Sequence, residues 1–220
     1  MSSGPPTRRR GRPPGSAGAE LLSIARATFI AHGFRGTTMD AIAAQAHISK
    51  ASLYTAYPSK DLLYAAVVRD WVDRGYEAMR PHATALSGAE DVRRGLLQLA
   101  RVLQGGLLSR PVLQMRTLIA AEAVRFPDVA ADYVSRSWDR NLQLLADAVD
   151  ALTARGLLHA PDADLAAEQF TWLVVAAPLN RLTLQAGAHH YTERELDTLA
   201  TEAVTTFLSR YGRGPAAGTD

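Results

Sequence analysis

Thr38-Met-Asp-Ala-Ile-Ala-Ala-Gln-Ala-His-Ile-Ser-Lys-Ala-Ser-Leu-Tyr-Thr-Ala-Tyr-Pro-Ser-Lys-Asp-Leu62 is the stretch on which the reading of this 220-residue chain turns. Thr38 and Ser49 each stand ahead of a short helical run, and each hydroxyl can accept a hydrogen bond from a first-turn N–H that has no partner inside its helix. The spacing predicts a helix from Met39 to about Ala46, a break at His47-Ile48, and a second helix from Ser49 through Ala56. Ile42, Ala46, Ile48 and Leu53 can meet as a small core, while Ala43 lets the two helices approach closely. Two short helices around a tight turn form a helix-turn-helix. Lys50, Ala51, Ser52, Tyr54 and Thr55 then fall at the start and outer face of the second helix, which in such motifs lies in the major groove of DNA. Its free N–H groups and positive dipole end also favour phosphate.

Outward from this stretch, charge is unevenly placed. Residues 1–60 hold eight basic groups and two acids, and the rest of the chain holds sixteen basic and twenty acidic groups, for a net charge of +2. The only lysines, Lys50 and Lys60, lie in the basic part. Such asymmetry points to a polyanion partner, here double-stranded DNA. Residues 1–16 are Pro, Gly, Ser and Arg, with no side chain after Met1 that can join a core, so they are expected to be disordered when free. Within them Arg10-Gly11-Arg12-Pro13 is similar to the AT-hook core, which places arginines such as Arg10 and Arg12 in narrow A·T-rich minor grooves.

A composition 47% hydrophobic and 21% charged supports a buried core. With no cysteine, disulfide scaffolds, thiolate catalysis and Cys-based zinc sites are excluded, and a reducing cytosol suits the chain. No window reaches the roughly 18 apolar residues of a membrane helix. The apolar run Trp172–Leu179 is short and meets Asn180 and Arg181, and the arginine-rich N-terminus lacks the apolar segment of a secretory signal. A soluble, cytoplasmic, nucleoid-associated protein with no membrane partner is expected. A glycine-rich phosphate loop, an H-E-x-x-H pair and a nucleophile elbow are all missing, so an enzyme is not expected. His189-His190 would point apart on a helix, and Asp147 and Asp150 read as a solvated helix face. No catalytic residue, metal or cofactor is assigned.

The remaining blocks all read as helices, giving an all-α chain of about nine. Leu21, Ala25 and Phe29 recur from about Ala17 to a stop near Gly33. Ser59 caps a longer helix running toward Pro81. Ser87 with Glu90 fits a capping box opening a helix to about Leu108, and Pro111 suits the first turn of the next, which ends before Pro127. A long helix runs from Asp128 to about Ala154 and stops at Gly156. Asp162 opens another to about Gly187, and the capping box Thr192/Glu195 opens the last, to about Tyr211. The domains expected are a basic arm over 1–16, a three-helix DNA-binding domain over 17–62 with its following helix linking to about 80, a ligand-binding and dimerisation bundle over 63–211, and a flexible tail over 212–220.

The last two helices suggest self-association. The final helix carries a stripe that includes Leu196, Ala200, Ala203, Val204 and Phe207. The helix before it is apolar nearly all round, through Phe170, Val174 and Ala177, with Pro178 expected to kink it. A helix of that kind needs partners on several sides, and a two-fold homodimer pairing these helices supplies one.

The pattern T-x-x-x-I-A-x-x-A-x-[IV]-S-x-x-x-L-Y-x-x-[FY]-x-S-K-x-x-L, from Thr38 to Leu63, resembles the DNA-binding region of the TetR/AcrR family of bacterial transcriptional regulators, and the likeness spans about residues 17–70. His47 stands where the family usually has glycine, and Ala51 where glycine or proline is frequent. The resemblance implies that Thr38, Lys50, Tyr54 and Lys60 hold phosphates and that Ser52 and Thr55 sit near bases, with Ala51 on the same groove-facing surface. Tyr54 can equally pack with its hydroxyl outward, and Tyr57 reads as core. Leu113–Pro127 is similar to the C-terminal domain of AefR-like members. The resemblance implies an unidentified small apolar or amphipathic effector in a pocket whose candidates are Trp71, Met115, Arg116 and Ile119, with Trp138, Leu142, Trp172 and Asn180. Aromatic and methionine residues at helical spacing are more often core. Arg116 and Asn180 need a polar partner, either Glu122, another acid or the ligand. Family likeness further implies a repressor that binds a palindromic operator and is released when ligand shifts the helix after Ser59.

Overall fold

The computed structural model describes residues 14–185 and 189–213, with side chains described from residue 18. The arm bearing Arg10 and Arg12, and the tail from 214, lie outside the described residues. Every regular element described is helical: α1 Pro14–Gly36, α2 Met39–Gln45, α3 Lys50–Ala56, α4 Lys60–Ser87, α5 Val92–Leu107, α6 Arg110–Glu122, α7 Pro127–Tyr133, α8 Arg140–Ala154, α9 Ala163–Leu184 and α10 Glu193–Tyr211. A π-helical turn, Val134–Asp139, joins α7 to α8 in one continuous run, so nine separate rods stand among the described residues. The chain divides into two compact units, residues 1–70 and 71–220, and the division falls inside α4.

In the first unit α1 contributes Leu21, Ala25 and Phe29, at the helical spacing expected, to a buried core. Gly33 breaks α1 with φ 68 and ψ 172, a conformation essentially reserved for glycine. The chain then turns so that Phe34 stacks on Phe29 at 5.8 Å, and Tyr64 meets both rings edge-on at 5.5 and 5.3 Å. Thr28 and Thr37 are buried hydroxyls with partners: Thr28 donates to the Gln45 side chain at 2.8 Å and Thr37 to the Gly33 carbonyl at 2.8 Å.

In the second unit α9 packs on α5, α8 and α10. Asp91 caps α5 by accepting from the Arg94 N–H at 3.0 Å, and Leu96, Leu99, Ala100 and Leu103 bury one face of that helix. The Ser87/Glu90 capping box does not form. Instead α4 continues through Pro81 to Ser87, whose hydroxyl donates to the Thr84 carbonyl at 2.8 Å and so belongs to the end of α4. Pro81 costs the helix one N–H bond without ending it. Likewise α9 runs unbroken through Pro178. At α10 the Thr192/Glu195 capping box is complete, and hydrogen bonds from Thr192, first its backbone N–H, hold the Glu195 carboxyl below its ordinary range. The end of α10 is tied back where the His159 N–H donates to the Tyr211 carbonyl at 2.7 Å. Among the described residues no helix is long and apolar enough to cross a membrane.

Candidate nucleic-acid interface and ligand cavity

The turn between α2 and α3 is built at one left-handed residue, His47 with φ 54, which reverses the chain where glycine would be unstrained. Thr38 caps α2 by accepting from the Ala41 N–H at 3.1 Å, and Ser49 caps α3 by accepting from the Ser52 N–H at 3.0 Å. Ile42, Ala43 and Leu53 are buried between the helices. Ile48, expected with them, stays 36% exposed at the end of the turn, because the reversal at His47 carries it to the edge.

Lys50, Ala51, Ser52, Tyr54 and Thr55 are all exposed on α3, and Thr38 is exposed at the start of α2. Two of the hydroxyls have local partners: Ser52 shares a hydrogen with Ser49 at 2.8 Å, and Thr55 donates to the Ala51 carbonyl at 2.8 Å. Lys50 is ion-paired with Asp40 of α2 at 2.5 Å, an acid that reading α3 alone passed over. Tyr54 is 47% exposed, which suits its ring for contact more than for packing. Tyr57 is half-buried, and its phenol is pushed up by burial first and by the Asp70 carboxylate second.

Lys60, expected to hold a phosphate, also has partners inside its own unit. Its ammonium donates to the Phe34 carbonyl at 2.8 Å and the Thr37 carbonyl at 2.7 Å, and sits 4.4 Å from the centre of the Phe34 ring. It ties the first turn of α4 to the end of α1, so two of its three protons are already committed inside the unit.

The second unit holds a cavity of about 550 Å³ that is partly open to solvent. Trp71 and Gly75 of α4, Gly106 of α5 and Arg116 of α6 line it, facing Trp138 in the π turn and Asn141 and Leu142 of α8. Four sequence candidates, Trp71, Arg116, Trp138 and Leu142, are therefore gathered here. The other four are not. Met115 and Ile119 are buried on α6 and are not among the residues that line the cavity. Trp172 and Asn180 are exposed on α9, where the lining is supplied by Thr171 and Leu179. Trp172 still touches the site indirectly, its ring centre 4.8 Å from that of Trp138. Asn141 was not singled out in the sequence. Inside an amphipathic helix with no other irregularity it gave no signal, and neither did the π turn that brings Ser137 and Trp138 to the wall.

The expected dimer residues need correction. Phe170, Val174, Ala200, Ala203, Val204 and Phe207 lie in the core of their own unit, with no surface left for a second copy. Only Ala177, exposed, and Leu196, half-buried, keep accessible surface. The large apolar side chains that α9 does expose are Leu165, Trp172, Leu173 and Leu184.

Comparison with known proteins bears on both sites. Residues 21–67 match the model for bacterial regulatory proteins of the tetR family, and residues 94–213 match that for the C-terminal domain of AefR-like transcriptional repressors. A TetR-family regulator of Mesorhizobium loti MAFF303099 is similar in structure over 92% of this chain and 100% of its own, with TM-score 0.88 and 30% identity. The flavonoid-responsive regulator FrrA aligns over 91% of this chain and 100% of its own, with TM-score 0.71 and 26% identity. In sequence, the HTH-type transcriptional regulator RutR of Escherichia coli K12 is 34% identical over 98 residues, which cover 43% of this chain and 46% of RutR. The chain thus spans about half the length of the curated relatives it matches.

Proposed function

Since the chain belongs to the TetR family of bacterial transcriptional regulators, we propose that it acts as a repressor, a homodimer that reads a palindromic operator and lets go when a small molecule fills the cavity. The observation that carries this reading is the exposed face of α3, headed by the Ser49 cap and bearing Lys50, Ser52, Tyr54 and Thr55 on a rigid two-helix frame. Lys50 leaves Asp40 for a phosphate, Tyr54 and Thr38 hold the backbone, and Ser52, Thr55 and the small Ala51 face the bases. Arg10 and Arg12 add affinity from the minor groove. Lys60 positions the motif through the end of α1, and its remaining proton is what it can offer to a phosphate.

Two recognition helices require two copies, and the exposed apolar residues of α9, Leu165, Trp172 and Leu173, supply the surface for the partner. The effector acts through α4, a single helix that carries Lys60 in its first turn and Trp71 and Gly75 at the cavity wall. A ligand that fits one position of α4 better than another changes the separation of the recognition helices by that difference in affinity. A small-molecule trigger suits a relative described as flavonoid-responsive. The protein works on the nucleoid in the cytoplasm and turns over no substrate.

Selection of binding sites from random duplex DNA with the purified full-length protein tests this. An inverted repeat is expected. Recovery of A·T-rich DNA without symmetry overturns the reading in favour of a constitutive architectural binder held by its arm.

A further inference from the structure

The cavity contains no Asp or Glu among its lining residues, although Arg74, His82 and Arg116 all reach it. Three of its hydroxyls are already satisfied: those of Ser109, Ser137 and Thr171 donate to the carbonyls of Gly106, Tyr133 and Ala167, at 2.7, 2.6 and 2.9 Å. Arg116 and the Asn141 carbonyl oxygen are among the groups that are not. Arg116 makes no ion pair or hydrogen bond with any described residue, and Glu122, the nearest acid in sequence, does not reach it. Asn141 donates its amide to the Ser137 carbonyl, which leaves its Oδ1 buried with no donor. A half-buried guanidinium on an apolar wall and a buried lone acceptor both call for a complement.

The shape of the cavity narrows what that complement is. Gly75 and Gly106 present bare backbone to it, with nothing within 4 Å of where a Cβ would stand, and the indole rings of Trp71 and Trp138 form other parts of the wall. Such a site accepts a flat framework. One guanidinium without a partner matches one carboxylate, which its fork binds through two parallel hydrogen bonds. An acceptor without a donor matches a hydroxyl.

Building on the ligand-responsive reading above, we infer that the effector is a flat, largely apolar monocarboxylic acid bearing a hydroxyl group. Its carboxylate pairs with Arg116, and its hydroxyl donates to Asn141 Oδ1. The chain's three tryptophans make this measurable, since Trp71 and Trp138 line the cavity and Trp172 stacks on Trp138.

The test titrates the full-length protein, following tryptophan fluorescence, with 4-hydroxycinnamate and 6-hydroxy-2-naphthoate, each beside its methyl ester and its analogue lacking the hydroxyl. At least one acid is expected to bind about ten- to a hundredfold more tightly than its ester, the range for a charge-assisted hydrogen bond. Arg116→Met should bring that acid to the level of its ester while leaving ester affinity unchanged, which also shows that the variant is folded, and Arg116→Lys should restore part of the preference. Asn141→Leu should erase the preference for the hydroxylated acid over its analogue. Equal affinity for acids and esters, no binding by either acid, or a preference that survives in Arg116→Met overturns the inference. DNA release is measured separately by gel shift: acids that discriminate as described but do not release operator leave the inference standing and refute the switch.

Discussion

Among the described residues of the DNA-binding unit, two backbone positions take positive φ, and they carry opposite consequences. Gly33 has φ 68 and ψ 172, where an alanine is strained, so Gly33→Ala should lower stability by about 1–3 kcal/mol. His47 with φ 54 already bears a related strain, and His47→Gly should raise stability by up to about 1 kcal/mol once the greater freedom of an unfolded glycine is offset. Urea melts of the two variants should therefore move in opposite directions, and shifts of the same sign contradict this account of the turn. The Asp40–Lys50 pair makes a second prediction. Exposed ion pairs are worth a few tenths to 1 kcal/mol, so Asp40→Asn should tighten DNA binding by about two- to fivefold in a gel shift by freeing Lys50 and removing a like charge facing phosphate. How far single residues were legible depended on the range of their contacts. Thr38 and Ser49 act on N–H groups three residues away, within reach of a sequence pattern. The acceptors of Lys60, Phe34 and Thr37, are 26 and 23 residues distant, beyond the reach of any such pattern.

At the scale of elements, the helices could be read and their outward faces could not. Periodicity places α5 and α10 because one stripe of each is apolar, whereas α9 is apolar on most sides and gives no stripe to orient it. Packing decides instead: Phe170, Val174 and Leu179 go inward, and Trp172, Leu173 and Asn180 are left outside. The π turn is a second blind spot. It lengthens one turn of the α7–α8 run, which a 3.6-residue reading does not anticipate, although Trp138, Asn141 and Leu142, spaced three and four residues apart, still share one wall. Pro81 looked like a terminator and is instead carried inside α4, which moved the start of α5 from Ser87 to the Asp91 cap. The cavity wall offers a test at this scale. Gly75 sits inside α4 with open space around it, so Gly75→Ala should stabilise the protein by about 0.5–1 kcal/mol in a thermal melt. A loss of stability would mean that the space beside α4 is occupied.

For the whole molecule, affinity for DNA has a part that the helix-turn-helix does not provide. Arg8, Arg9, Arg10 and Arg12 precede the described residues, and deleting residues 1–15 should reduce the slope of log affinity against log salt by up to about four, at roughly 0.9 for each phosphate neutralised. An unchanged slope would make those arginines spectators. A last consequence comes from how the two lysines are held. In a chain of 220 residues they are the only side-chain amines, and the nitrogen of Lys60 is drawn onto two carbonyls while the Lys50 side chain is 64% exposed. A mild acylating reagent thus meets a single readily modified side chain, at the head of α3. Peptide mass mapping should find Lys50 labelled well ahead of Lys60 and protected when operator is present, which makes the unmodified protein its own chemical footprint of the DNA it holds.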